Sequence, residues 1–141
     1  MSLDLSSLQK AIHSLDATLQ KSNDEKLMSQ LDDVIRLAVR AGAIQNFEFT
    51  YELCWKFIKR WIRENGSPED ADHPRTRKDL FRLAARYSLI KDPAPWFDYG
   101  NARNLMSHTY DQEKAREIYS ITRDFLSDAV YLLKQLEENN D

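Results

Sequence analysis

One stretch of the chain, Arg103-Asn104-Leu105-Met106-Ser107-His108-Thr109-Tyr110, gathers side chains suited to chemistry on a phosphate. With its flanks, Tyr99-Gly100-Asn101-Ala102 and Asp111, it holds arginine, two asparagines, serine, histidine and tyrosine with few apolar anchors. A plain surface helix would carry glutamate and lysine instead. A guanidinium grips a phosphate through two parallel N–H donors, and an imidazole moves a proton near neutral pH. A tyrosine hydroxyl can stack, hydrogen-bond or be modified.

Helix geometry limits how these groups meet. Arg103 and Tyr110 are seven residues apart and share a face of an intact helix. Arg103 and His108 are five apart, about 140° around the axis. They converge if the helix ends near Ser107, if the long arginine bends, or if a second copy of the chain completes the site. The bland alternative is that Arg103 pairs with Asp98 or Asp111 and His108 helps to cap a helix.

Other catalytic signatures are missing from the sequence. It has no glycine-rich phosphate loop, no histidine pair one helical turn apart and no cysteine cluster. His13, His73 and His108 are scattered, so no metal site and no cofactor are expected. The single cysteine, Cys54, lies in an apolar helical stripe and reads as a small core residue, and one unpaired thiol fits a reducing compartment.

The elements that must position the segment read as helices. Only three glycines and four prolines interrupt 141 residues, the size of one domain, here taken as 1–141. Leu5, Leu8, Ile12, Leu15 and Leu19 repeat at helical spacing over residues 4–20. Ser22-Asn23-Asp24 is a turn, with Asp24 able to cap the next helix. A long second helix is predicted over 25–64, with Leu27, Leu31, Val34, Ile35 and Ala38 as one stripe and Phe47, Tyr51, Cys54, Trp55, Ile58 and Ile62 as another. Gly42 marks a kink or a join. Phe49, Leu53 and Phe57 lie on roughly the opposite side, so this helix is expected to be buried twice, the second time against another subunit.

Gly66-Ser67-Pro68 stops that helix, and 69–74 reads as an acidic loop. Pro74 suits the first turn of a third helix, reaching about residue 88 through Leu80, Phe81, Leu83, Ala84 and Tyr87. Pro93 or Pro95 opens a fourth, and Asp111 closes it or caps the next, with Thr109 and Gln112 at capping-box spacing. The last helix spans about 112–138, and the polar tail Glu137 to Asp141 is expected to fray. The fold class is therefore all-α, an up-and-down bundle of four to five helices.

No apolar run approaches the roughly 20 residues needed to span a bilayer. Met1-Ser2-Leu3-Asp4 lacks the features of a secretion signal, so a cytoplasmic location is expected. A net charge of −3 argues against a surface coated for bulk nucleic-acid binding. The charge is uneven, however: residues 56–91 hold half of the lysines and arginines, including Lys56, Lys59, Arg60, Arg63, Arg75, Arg77, Lys78, Arg82 and Arg86. Such a run is either a solvated face or a local track for phosphates or an acidic partner.

At the Arg103 segment the sequence resembles a known family. Arg103-x4-His108-x-Tyr110 matches the R-x4-H-x-Y form of the HEPN-domain motif. The blocks Phe47-Glu48-Phe49-Thr50-Tyr51-Glu52-Leu53-Cys54-Trp55-Lys56 and Arg103 to Asp111 look like the nucleotidyltransferase substrate-binding proteins, HepT-like HEPN partners of minimal nucleotidyltransferases. Pro74-Arg75, Leu89-Ile90-Lys91-Asp92 and Trp96 fall in the matching order, and the resemblance covers roughly residues 25–125. Ser88 departs from the pattern, where glycine is expected before Leu89-Ile90.

The resemblance implies a dimeric helical bundle with two motifs in a composite cleft, a metal-independent RNase in the toxin members. It implies His108 as the proton-transfer residue and Arg103 as the phosphate-binding catalytic cation. Asn104, Ser107 and Tyr110 would be supporting groups. It further implies a minimal nucleotidyltransferase antitoxin that transfers AMP to the motif tyrosine, here Tyr110, placing bulk and negative charge beside the catalytic pair. Two other roles compete with the RNase toxin: a non-catalytic subunit that holds substrate for the nucleotidyltransferase, and an inactive helical interaction module.

Overall fold

Side chains of Asp24, Asp32, Ser67 and Thr76 cap the helices that follow them and fix where those elements start. In the computed structural model, the described backbone covers residues 2–108 and 112–140, with side chains over 2–105 and 116–140. The elements are α1 (Ser6–Ser22), α2 (Glu25–Ser29), α3 (Asp33–Trp61) continued by a π-helical turn (Ile62–Gly66), α4 (Pro68–Asp72), α5 (Arg77–Arg86), α6 (Pro93–His108) and α7 (Gln112–Glu138). Among the described residues all regular structure is helical, so the all-α expectation is met.

The predicted helix over 25–64 is in fact two. Asp24 caps α2 by accepting from the Leu27 amide at 3.0 Å, as anticipated. Gln30 and Leu31 then leave the helix, and Asp32 caps α3 by accepting from the Ile35 amide at 2.8 Å. A carboxylate bound to an otherwise orphaned amide stabilises a new start by about 1 kcal/mol. Gly42 marks no join, since α3 runs unbroken through it. Residues 69–74 are not simply a loop: Ser67 caps the one-turn α4, with Pro68 in its first turn. Pro74 does not open α5 either. Thr76 does, accepting from the Asp79 amide at 3.2 Å.

The helices meet on a single apolar core. Leu8 and Leu15 of α1, Phe47, Tyr51 and Ile58 of α3, Trp96 of α6, and Phe125, Leu132 and Leu136 of α7 are all essentially inaccessible. Each such side chain contributes about 1.5–3 kcal/mol on leaving water. The stripe read over 27–38 does not belong to this core, because its Val34, Ile35 and Ala38 are exposed. Of the three residues on the opposite side of α3, Phe57 is buried in this chain and Leu53 half-buried, whereas Phe49 is 59% exposed. As far as Asn140 the polar tail is tied rather than frayed. Asn140 exchanges hydrogen bonds with the Leu3 backbone at 2.8 and 2.9 Å, and the Trp61 indole donates to the Asn139 carbonyl at 3.1 Å.

The end of α5 explains the odd serine. Ser88 has φ of 62°, the left-handed region that favours glycine. Its amide bonds the Ala85 carbonyl and that of Leu89 bonds Ala84, each at 3.0 Å, closing the helix with a Schellman motif. A serine carries steric strain there that glycine avoids, offset in part by glycine's greater freedom when unfolded. Ser88→Gly is expected to stabilise the protein by about 0.5–1 kcal/mol, seen as a rise in thermal midpoint. A midpoint that falls would show that the serine side chain contributes more than its backbone costs.

Candidate functional site

Glu48, Tyr51, Glu52 and Trp55 recur at spacings of three and four on α3 and therefore share one face, which turns toward α5 and α6. Gly100 lets α6 come close: a Cβ there would sit 2.7 Å from the Tyr51 hydroxyl oxygen. One turn later, Arg103 reaches α3. Its Nε lies 2.9 Å from Glu52 Oε1, with the two side chains only 30% and 20% exposed. The N–H points off that line, so this buried nitrogen forms an ion pair without a hydrogen-bond acceptor among the described residues.

Glu52 is the hub of the site. Its Oε1 also accepts from Arg77 Nη1 of α5 at 3.3 Å, and its Oε2 from the Trp55 indole at 2.9 Å. The Arg77 guanidinium lies over the Trp55 and Tyr51 rings, 4.7 and 5.6 Å from their centroids. Cations held this way against ring faces and a carboxylate have little freedom left to lose on meeting an anion. Burial pushes the Glu48 carboxyl above its ordinary range; Arg103 pulls it back and Glu52 pushes it further up. Burial likewise raises the Tyr51 phenol, opposed by Arg77. The Cys54 thiol is fully buried and pushed well above its ordinary value, as suits a core residue.

Arg103 thus pairs with Glu52, not with Asp98. Asn104 follows it on the exposed side of α6. Ser107 and His108 are the last two helical residues of α6, which places His108 where the helix ends, although their side chains fall outside the described set. Tyr110, Thr109 and Asp111 lie outside the described residues altogether, as does the capping box drawn through them. Sequence reasoning does not single out Glu48, Glu52 or Arg77 as site residues. The available signal is two glutamates four apart inside an apolar stripe.

Beside this hub a groove of about 310 Å³ opens between α5 and α6, with Tyr51, Phe81 and Trp96 among its lining and Arg77, Lys78, Arg82, Phe97, Asn101 and Asn104 also facing it.

Fold and site together define the class: an all-α bundle with a held arginine–carboxylate pair beside a cationic groove. The chain belongs to the family described as nucleotidyltransferase substrate binding protein like, which it matches over residues 3–138. It is 38% identical over 138 residues to a Haemophilus influenzae protein named "Probable ribonuclease HepT", covering 98% of this chain and 94% of that one. A solved Haemophilus influenzae structure, described as the fold of a substrate binding domain of a nucleotidyltransferase, superposes with a TM-score of 0.89 at 38% identity, covering 95% of this chain and 99% of that chain. A crystal structure from Thermus thermophilus is similar at a TM-score of 0.71 and 26% identity, covering 92% and 98% of the two chains. Among the described residues no helix is long and apolar enough to cross a membrane.

Proposed function

We propose that this protein is a HEPN-type, metal-independent ribonuclease, the toxin of a toxin–antitoxin pair, acting through Arg103 and His108. The observation that carries this reading is Arg103 itself, fixed by Glu52 on the same helix that ends at His108. The 38% identity to a protein named as a ribonuclease supports it. RNA supplies its own nucleophile, so the protein needs a base and a cation. His108 takes the proton of a 2′-OH as that oxygen attacks the adjacent phosphorus. The bond to the 5′-oxygen breaks, and a proton returned by an acid in the cleft completes the leaving group. Arg103 offsets the charge that grows on the phosphoryl oxygens. Because Glu52 occupies its Nε end, the terminal nitrogens are the end offered to that phosphate. Asn104, Ser107 and Tyr110 support the strand around it.

The working unit is a homodimer in this reading. Val34, Ile35, Leu37 and Phe49 of α3 and Leu105 of α6 are exposed apolar side chains that a second copy would cover, and Leu105 stands two residues from Arg103. The antitoxin is a minimal nucleotidyltransferase that transfers AMP to Tyr110, and the complex works in the cytoplasm. A second reading, a subunit that holds substrate for that nucleotidyltransferase without cleaving RNA, is favoured by the description of the Haemophilus influenzae structure.

One assay separates them. Purified protein should cleave RNA, and His108→Ala should lower the rate at least about 100-fold while remaining helical and dimeric. Co-expression with the nucleotidyltransferase and ATP should silence the parent and add the mass of AMP, an addition lost in Tyr110→Phe. Equal cleavage by parent and His108→Ala would refute the mechanism. A parent that binds nucleotide but leaves RNA intact would select the second reading.

A further inference from the structure

The cationic run over 56–91 is not one face. Arg63 turns to Asp72 at 2.6 Å and Arg60 lies over Phe57, whereas Arg77, Lys78 and Arg82 of α5 converge on the groove against α6. We infer that this groove is a subsite for one nucleotide of a single RNA strand, next to the scissile phosphate at Arg103; this rests on the ribonuclease reading above.

Position is the first argument. Arg77 lines the groove and shares Glu52 Oε1 with Arg103, so the two guanidinium groups are neighbours. Asn104, another lining residue, directly follows Arg103. A strand whose phosphate rests on Arg103 meets this groove with its adjoining nucleotide.

Chemistry is the second. Phe97 presents a half-buried ring, with Lys78 Nζ 5.6 Å and Arg82 Cζ 5.1 Å from its centroid. Asn101 and Asn104 line the α6 side, and their amides carry both donors and acceptors. Planar rings and guanidinium groups to stack on, amides to read a base edge and cations for the backbone are what unpaired RNA requires. A folded partner's acidic surface would need the cations but not the half-buried ring beside them.

Exchange is the third. Lys78 and Arg82 are exposed, and the Arg82–Asp79 pair at 2.8 Å joins side chains that are both about half exposed. Such surface pairs are weak, so Arg82 can trade its carboxylate for a phosphate. The volume, about 310 Å³, is at the lower end for small-molecule sites, which suits one nucleotide rather than a duplex.

The probe is a short fluorescein-labelled single strand of 2′-O-methyl RNA, which lacks the attacking hydroxyl and survives the wild-type protein. Fluorescence anisotropy should show Lys78→Glu/Arg82→Glu weakening its binding by about tenfold or more and flattening the salt dependence by roughly one to two units of slope. Phe97→Ala should weaken binding by about tenfold through lost stacking. Lys10→Glu, an exposed charge reversal on α1, should leave it unchanged.

The inference is overturned if the double variant binds the strand as the parent does. It is also overturned if AMP alone depends on Phe97 while the strand does not, or if the double variant loses only the nucleotidyltransferase. Cleavage of natural RNA by a parent whose groove variants bind normally would leave the nuclease standing without the subsite. A parent that neither binds nor cleaves RNA would remove both.

Discussion

Arg103→Ala is expected to slow RNA cleavage by about 100- to 1000-fold, the usual loss when one preorganised donor to a developing oxyanion is removed. The fold should survive it. Glu52 keeps its bonds from the Trp55 indole and from Arg77, so its carboxylate is not left buried alone. The lost ion pair is partly exposed and costs about 1 kcal/mol or less. Truncation also removes a buried N–H that has no acceptor among the described residues, which offsets part of that cost.

Arg103→Lys should recover only a fraction of the rate. An ammonium restores the charge but not the flat fork that pairs two donors with two phosphoryl oxygens. Steady-state cleavage over a range of RNA concentrations, with circular dichroism and size-exclusion controls, gives the comparison. The loss should fall on the chemical step, so kcat drops more than KM changes. A folded Arg103→Ala protein that cleaves at the parental rate would take Arg103 out of the mechanism.

The arginine is legible in the sequence and its carboxylate is not, because each leaves a different trace there. Arg103, Asn104 and His108 stand in a helix that lacks the usual surface charges, and that local anomaly needs no neighbour to be seen. Glu52 is recognisable as a hub only once α5 and α6 bring Arg77 and Arg103 to the same oxygen. The groove depends on the same meeting and on Gly100, whose role is set by Tyr51 on another helix.

The fold divides in the same way. The stripe of α1 comes directly from apolar spacing, because the core lies on one side of it. The break before α3 is hidden, since Leu27, Leu31, Val34 and Ile35 continue a helical rhythm across it, and the deciding signal is the cap at Asp32. Pro74 competes with Thr76 for the start of α5, and the hydroxyl that satisfies an amide prevails. The tail looks free in the sequence because its anchors, Leu3 and Trp61, are remote along the chain. Ser88, conspicuous only as a departure from a familiar pattern, marks the left-handed residue at the end of α5.

Phe125→Ala should be the most damaging single truncation in the core, costing about 3–5 kcal/mol. Phe125 of α7 is inaccessible to water and is edge-on to Phe47, Tyr99 and Trp96, with centroids 4.9, 5.2 and 5.8 Å away. The first ring belongs to α3 and the other two to α6, so Phe125 ties together the helices that carry Glu52 and Arg103. Alanine leaves a void that rigid rings cannot fill by small shifts, and it forfeits edge-to-face contacts worth about 0.5–1.5 kcal/mol each beyond burial. Against a total stability of about 5–15 kcal/mol for a domain, that is a large share. Urea unfolding should show the midpoint falling with little change in slope, the mark of a weakened native state. Phe125→Leu should lose clearly less, since it keeps most of the volume. Cleavage by Phe125→Ala, assayed well below its midpoint, should fall far less than in Arg103→Ala, because the ion pair to Glu52 still holds the guanidinium. If the alanine variant unfolds within about 0.5 kcal/mol of the parent, the range of an ordinary surface change, α7 does not lock α3 to α6 through this ring.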